Sequence, residues 1–353
     1  MDQMYQADAR NSLNTPPSIG PILSGLLLLR WTWRSIFWFL SAFSTLCIIL
    51  MATCLPETAR NMVGNGTINN NNAKGIKKPL LRILSPQYPE MMDDNSASSS
   101  RAHHHETRRQ EYYKNGWANF PNPFASLKLL RSAETAVLLL SYGINYSVYS
   151  CPQASLSTIF VDLYHISGLT AGLIYIPFGV GCALSAFATG KLLDLDFRKT
   201  ASECGVEVEK GKTTDLSGFP IEKARFRTVV FFVALCAALV ATYGWVLERS
   251  THIAAPLVLQ FGIGLTIQPV FTALNTLLVD IHSATPSTAQ AACNFVRCEM
   301  AAGCLAGLDV LLVKAGPRWS FLFFGSTMLL EVAMLIILQA RGMQWRQKKT
   351  TSN

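Results

Sequence analysis

Residues 256–307 hold two apolar runs joined by the polar turn DIHSATPST, and the second run carries Arg297 and Glu299 beyond that turn. At ~1.5 Å per helical residue, a position about ten residues in lies about 15 Å deep, near the middle of a hydrocarbon layer roughly 30 Å thick. A charge there costs at least ~2.5–3.5 kcal/mol on insertion scales, so an ionisable residue in a span is a functional hypothesis by default. The pattern is a transport signal rather than an enzyme signal.

The rest of the chain agrees in class. Half of the 353 residues are hydrophobic and the mean hydropathy is +0.26. Charge-poor apolar runs of spanning length recur at 35–55, 134–156, 166–190, 228–247, 254–279, 287–313 and 319–340, with a shorter one near 16–29. Soluble domains of this length rarely hold several such runs. The first thirteen residues are polar, with no apolar core of a signal peptide. The expected organisation is an atypical N-terminus (1–15), two spans (16–55), a central linker (56–133), six spans (134–340) and a basic tail (341–353).

The formal net charge is +8, and its placement says more than its size. Most Lys and Arg residues fall in 56–133, 191–227 and 341–353, whereas Arg30, Arg34, Arg249, Lys314 and Arg318 fall on the opposite side of the spans. The positive-inside rule then puts the linker, the 191–227 segment and both termini in the cytosol of a multi-pass protein, with the plasma membrane as the expected location. The charge reports orientation and contact with anionic lipid rather than nucleic acid. Asn65-Gly66-Thr67 is a sequon that this orientation leaves unused. The linker, with NNNNAKG and DDNSASSSRAHHHETRR, buries too little apolar surface to fold. His103–His105 lack the spacing of a preformed metal site, so no metal is expected. Cys204 is the cysteine outside the spans, and no C-x-x-C occurs.

ALNTLLVD at 273–280, a short turn, and AACNFVRC at 291–298 resemble the tenth and eleventh spans of fungal drug:proton antiporters, in the twelve-span branch of the major facilitator superfamily. Glu299 departs from that pattern, in which the residue after Arg-Cys is usually uncharged. SIGPILSGLLLL from Ser18 resembles the antiporter helix motif through Gly20, Pro21 and Gly25, with Pro16 and Ser24 replacing two glycines. A kinked packing face, with small residues for close approach and a proline bend, accounts for the same letters. LPETARNMVGNGT resembles the exit from the sixth span, and FPNP with NPFASLKLLRSAE resembles the approach to the seventh. YIPFGVGCALSAFATGKLLDLDFRK at 175–199 resembles the superfamily's cytoplasmic loop signature through Gly190, Asp194 and Arg198. There Gly allows a tight turn and Asp caps a helix or pairs with Arg. The resemblance implies a conformational latch; an ordinary basic turn is the plainer alternative.

Arg297, Asn294, Glu299, Asp309, Glu331 and Asn275 are the candidates for substrate binding or proton coupling. Asn294 and Arg297, three apart, share a helix face, and Glu299 points about 160° away from Arg297. Asp309 and Glu331 lie within spans, where a carboxyl that takes up a proton couples transport to a gradient; a carboxylate that faces a neighbouring helix or a wet cavity without moving is the alternative. The chain has no Ser-His-Asp-like grouping, phosphate loop, H-E-x-x-H or nucleotide-binding domain. It is read as no enzyme and as needing no cofactor beyond a proton gradient.

The expectation is an all-α membrane protein with a partial major-facilitator fold of about eight transmembrane helices. It comprises a complete C-terminal six-helix half and the last two helices of the N-terminal half. The resemblance implies a proton-coupled antiporter, an efflux pump for drugs (multidrug resistance) or fungal secondary metabolites. The rival reading is a truncated, transport-incompetent membrane protein that acts at most as an assembly partner, in an oligomer or with spans supplied separately. Uptake in place of efflux is a third.

Overall fold

The computed structural model describes residues 20, 23–27, 30–54, 127–166, 168–205, 220–249, 251–282 and 285–351. These residues form helices and their connections, with no strand among them. Pro21, Asn65, His103–His105 and the linker as far as residue 126 lie outside the described residues. The chain divides into two compact units, residues 31–122 and residues 1–30 with 123–353.

In the first unit the described helix is α1, Arg34–Cys54. Its apolar side chains, among them Trp38 and Ile48, are exposed. Aromatic rings meet along it at helical spacing, Trp33 edge-on to Phe37 at 6.0 Å and Phe39 stacked on Phe43 at 6.2 Å.

The second unit is a helical bundle. After a 3-10 turn at Leu127–Arg131 come α2 (Ala133–Tyr164), α3 (Gly168–Leu173), α4 (Ile176–Glu203), α5 (Ile221–Phe226), α6 (Val229–Glu248), α7 (Ala254–Ile281) and α8 (Pro286–Thr351). Gly316, at φ 75° and ψ 167°, breaks α8 into two arms before Pro317. That φ suits glycine alone, and proline opens the second arm without needing the missing N–H. Among the described residues, five helical stretches are long and apolar enough to cross a membrane, including α1, α6 and α7. α2 is long enough, but it spends part of its surface on Ser141, Asn145, Ser147 and Ser155, all buried against neighbouring helices.

α2 packs along α8 and touches α7; α4 packs on α7, and α6 on α7 and α8. The core between them holds Phe160, Phe178, Tyr243 and Phe321. A close backbone seam joins α4 to α7. A Cβ on Gly181 would sit 2.3 Å from the Phe261 carbonyl oxygen, and one on Gly264 would sit 2.4 Å from the Phe178 oxygen. The two helices thus meet backbone to backbone through reciprocal glycines, the small-residue contact that membrane helices use for dispersion packing.

The apolar run 166–190 lies largely in one of the spanning-length stretches, with a turn at Ile174–Tyr175 where α3 ends and α4 begins. One sequence reading is corrected here, the tight turn at Gly190. Gly190 makes no tight turn: α4 continues through it to Glu203, because nothing in KLLDLDFRKTASE breaks a helix. The basic tail is helical through Thr351, with Gly342 buried and Trp345 packed against the core.

Candidate functional site

Tyr142, Tyr146, Tyr149 and Gln153 recur at helical spacing and form one stripe on α2. Phe271 of α7 meets all three tyrosines, with ring centroids 5.3, 6.3 and 6.0 Å away. Phe178 of α4 meets Tyr149 at 5.6 Å. Tyr146 and Tyr149 are half-buried, so part of this aromatic wall stays open. The stripe ends in an amide pair: Gln153 Nε2 donates to Gln260 Oε1 at 3.0 Å, and the Tyr175 hydroxyl donates to the Gln153 carbonyl at 3.1 Å.

Arg297, on the first arm of α8, closes over this wall. Its Cζ lies 4.9 Å from the Tyr146 ring centroid, a cation–π contact, and Tyr142 lies beside the same guanidinium. Its Nε is buried without a hydrogen-bond partner. Among the described residues no carboxylate forms an ion pair with it. Asn275 sits one turn beyond Phe271 on α7, half-buried, with Oδ1 unpartnered.

The neighbouring face of α2 holds the second polar feature. Glu331, on the second arm of α8, is 0 % exposed. Asn145 Nδ2 donates to its Oε1 at 3.2 Å and reaches Oε2 at 3.5 Å. Cys236 of α6 is the adjacent ionisable group. No Lys, Arg or His forms an ion pair with Glu331 among the described residues. Asn145 and Tyr146 are consecutive, about 100° apart around the helix, so one turn of α2 touches both Glu331 and Arg297.

One end of the bundle is charged. Arg225 Nη2 pairs with Asp280 Oδ2 at 3.1 Å, and its guanidinium lies 5.3 Å from the Phe197 ring. Buried Asp196 accepts the Thr228 N–H at 3.3 Å, at the start of α6. Glu222, 1 % exposed, lies 3.7 Å from Arg346 on the second arm of α8. Arg227 donates to Glu203, and that hydrogen bond holds the exposed Glu203 carboxyl below its usual range.

Of the residues proposed from sequence, Arg297, Glu331 and Asn275 are turned into the bundle, while Asn294, Glu299 and Asp309 are exposed. Arg297 and Glu331 are not brought together as a pair. Gly20 is exposed, with open space where a Cβ would stand, and Gly25 is buried. Gly190 is half-buried within α4, and Asp194 and Arg198 are exposed on it. Asp196, two residues after Asp194, is the acid that engages a helix start.

Sequence reasoning passed over Tyr142, Asn145 and Tyr146. Their signal was present: an Asn and three tyrosines at helical spacing, inside a run long enough to span a membrane.

Residues 12–307 match the model of the Major Facilitator Superfamily. The chain belongs to that superfamily. It is 30% identical over 332 residues to MFS-type transporter phiD of a fungal species (strain ATCC 74256), covering 94% of this chain and 48% of that protein. It is 32% identical to MFS-type transporter tstD of Talaromyces stipitatus, covering 94% of this chain and 58% of the relative. Citrate exporter 1 of Aspergillus niger is 29% identical over 339 residues, with 94% and 60% covered. The chain therefore spans about half to three-fifths of the length of these curated relatives. As a major facilitator protein it is an integral membrane protein of a transporter family, not an enzyme, and its all-helical fold is a partial form of the family's fold.

Proposed function

We propose that this major facilitator chain serves proton-coupled efflux of small organic compounds, drug-like molecules or fungal secondary metabolites, across the plasma membrane. The energy source is the proton gradient, and no bound cofactor is needed. The linker, the 191–227 segment and both termini face the cytosol. The single observation that carries the coupling is Glu331, fully buried with a neutral amide donor and no counter-charge among the described residues. A bare carboxylate in such surroundings is costly, and a bound proton removes that cost. Alternating access gives the same group a second environment in which the proton is released, which is what a coupled carrier requires. The relatives named as MFS-type transporters support transport, and the one named as a citrate exporter supports export as the direction.

The test is gradient-driven export of a fluorescent organic compound from vesicles that carry the protein. Wild-type export should stop when the proton gradient is collapsed, and Glu331→Gln should lose the gradient dependence. Export that ignores the gradient, or a Glu331→Gln protein that still follows it, would refute the coupling role.

A further inference from the structure

The aromatic wall and Arg297 have a chemistry of their own. A guanidinium carries its charge at any physiological pH. Taken partly out of water, a cation is stable only with partners for its N–H groups. Arg297 has the ring face of Tyr146, the side chain of Tyr142 beside it, a buried Nε without an acceptor, and no ion-paired carboxylate among the described residues. Glu299, two residues on, is exposed and directed to another side of the arm. Glu331 is engaged with Asn145 on a different face of α2. The unpartnered Nε is thus open to an acceptor that a ligand brings.

We infer that Arg297, with Tyr142, Tyr146 and Phe271, forms a subsite for organic anions, taking the carboxylate of a substrate whose flat or apolar body lies on the aromatic wall. The planar fork of a guanidinium matches a carboxylate with two parallel N–H···O bonds. Half-buried Tyr146 and Tyr149 supply ring faces for the body, and the Asn275 Oδ1 atom, one turn beyond Phe271, is an unfilled acceptor for a substrate hydroxyl or N–H. The same positive charge disfavours organic cations. Because the stripe on α2 runs beside Asn145, a substrate that shifts this turn alters the hydrogen bond to Glu331, which gives the two sites a physical route for coupling. This inference names the substrate class of the proposed transporter and rests on that reading for the transport cycle, but not for binding.

The experiment is equilibrium binding to the purified full chain in lipid nanodiscs, with 1-naphthoate, neutral 1-naphthamide and cationic 1-naphthylmethylammonium as probes. Naphthoate should bind at least about tenfold more tightly than the other two, the range of one charge-assisted hydrogen bond. Arg297→Gln should erase that preference, while Arg297→Lys, which keeps the charge and loses the fork, should retain part of it. Tyr146→Leu should weaken all three probes. No binding of naphthoate, equal binding of the amide or the cation, or unchanged preference in a folded Arg297→Gln protein would each overturn the inference. Binding of naphthoate that survives in Glu331→Gln, alongside export that ignores the gradient, would count against proton coupling alone.

Discussion

Asn145 and Glu331, 186 residues apart, meet in the interior of the bundle, where the Asn145 amide donates to the carboxyl at 3.2 Å. The contact joins α2 to the second arm of α8, and both partners are 0 % exposed. A buried acid facing a buried amide serves fold and function together: the amide satisfies the acid whether or not a proton is bound, while water is kept out.

Removing the donor should therefore be felt. Asn145→Ala leaves the Glu331 carboxyl without its amide, at an expected cost of about 1–3 kcal/mol, seen as a lower unfolding temperature of the purified protein. In a Glu331→Leu background the same change should cost much less, because no acid remains to be satisfied. Equal costs in both backgrounds would mean that the two residues are not energetically coupled.

Asp196 should act as a helix cap rather than as a surface charge. Its carboxylate accepts the Thr228 N–H where α6 begins, at the end of the helix where a negative charge is favoured. Asp196→Ala should destabilise by about 0.5–2 kcal/mol, and Asp196→Asn by less because an acceptor survives. Asp194→Ala, at an exposed position two residues earlier, should change little. Equal losses at both positions would contradict the capping role.

The α4–α7 seam should tolerate no side chain. A Cβ on Gly181 or Gly264 falls within 2.4 Å of a backbone oxygen of the facing helix. Either glycine changed to Leu should cost at least ~1–3 kcal/mol through overpacking, whereas Gly303→Leu, with open space around it, should be near neutral. Thermal unfolding of the purified variants measures this, and a stable Gly264→Leu would show that the helices separate easily.

Arg225 and Asp280 should behave as a linked pair. Their side chains are 13% and 22% exposed at 3.1 Å, partly shielded from water, so the bond exceeds the roughly 0–1 kcal/mol of an open surface pair. Asp280→Ala should lower the unfolding temperature more than Arg225→Ala with Asp280→Ala lowers it beyond the single change. Additive effects would indicate independent roles.

Orientation is tested by labelling. Cysteines introduced by Ser98→Cys and Ser217→Cys should stay unlabelled by a membrane-impermeant thiol reagent in intact cells, since the positive-inside rule places both in the cytosol. Strong labelling at either position would reverse the orientation.

The sequence by itself determined the membrane class, the all-helical fold and the superfamily. Those follow from local facts that survive any packing: lengths of apolar runs, the placement of Lys and Arg, and strings such as ALNTLLVD and NFVRC. It also singled out Arg297 and Glu331, because a charge within a span stands out against its neighbours. Tertiary structure decided which polar groups meet. Glu331 found Asn145 across 186 residues, Arg297 found Tyr146, and Asp196 rather than Asp194 found the start of α6. A one-dimensional pattern gives each helix its faces, but the face that a neighbour covers depends on how the helices rotate and cross. In this bundle that is settled by contacts such as those of Gly181 with the Phe261 backbone and of Gly264 with the Phe178 backbone, remote in sequence.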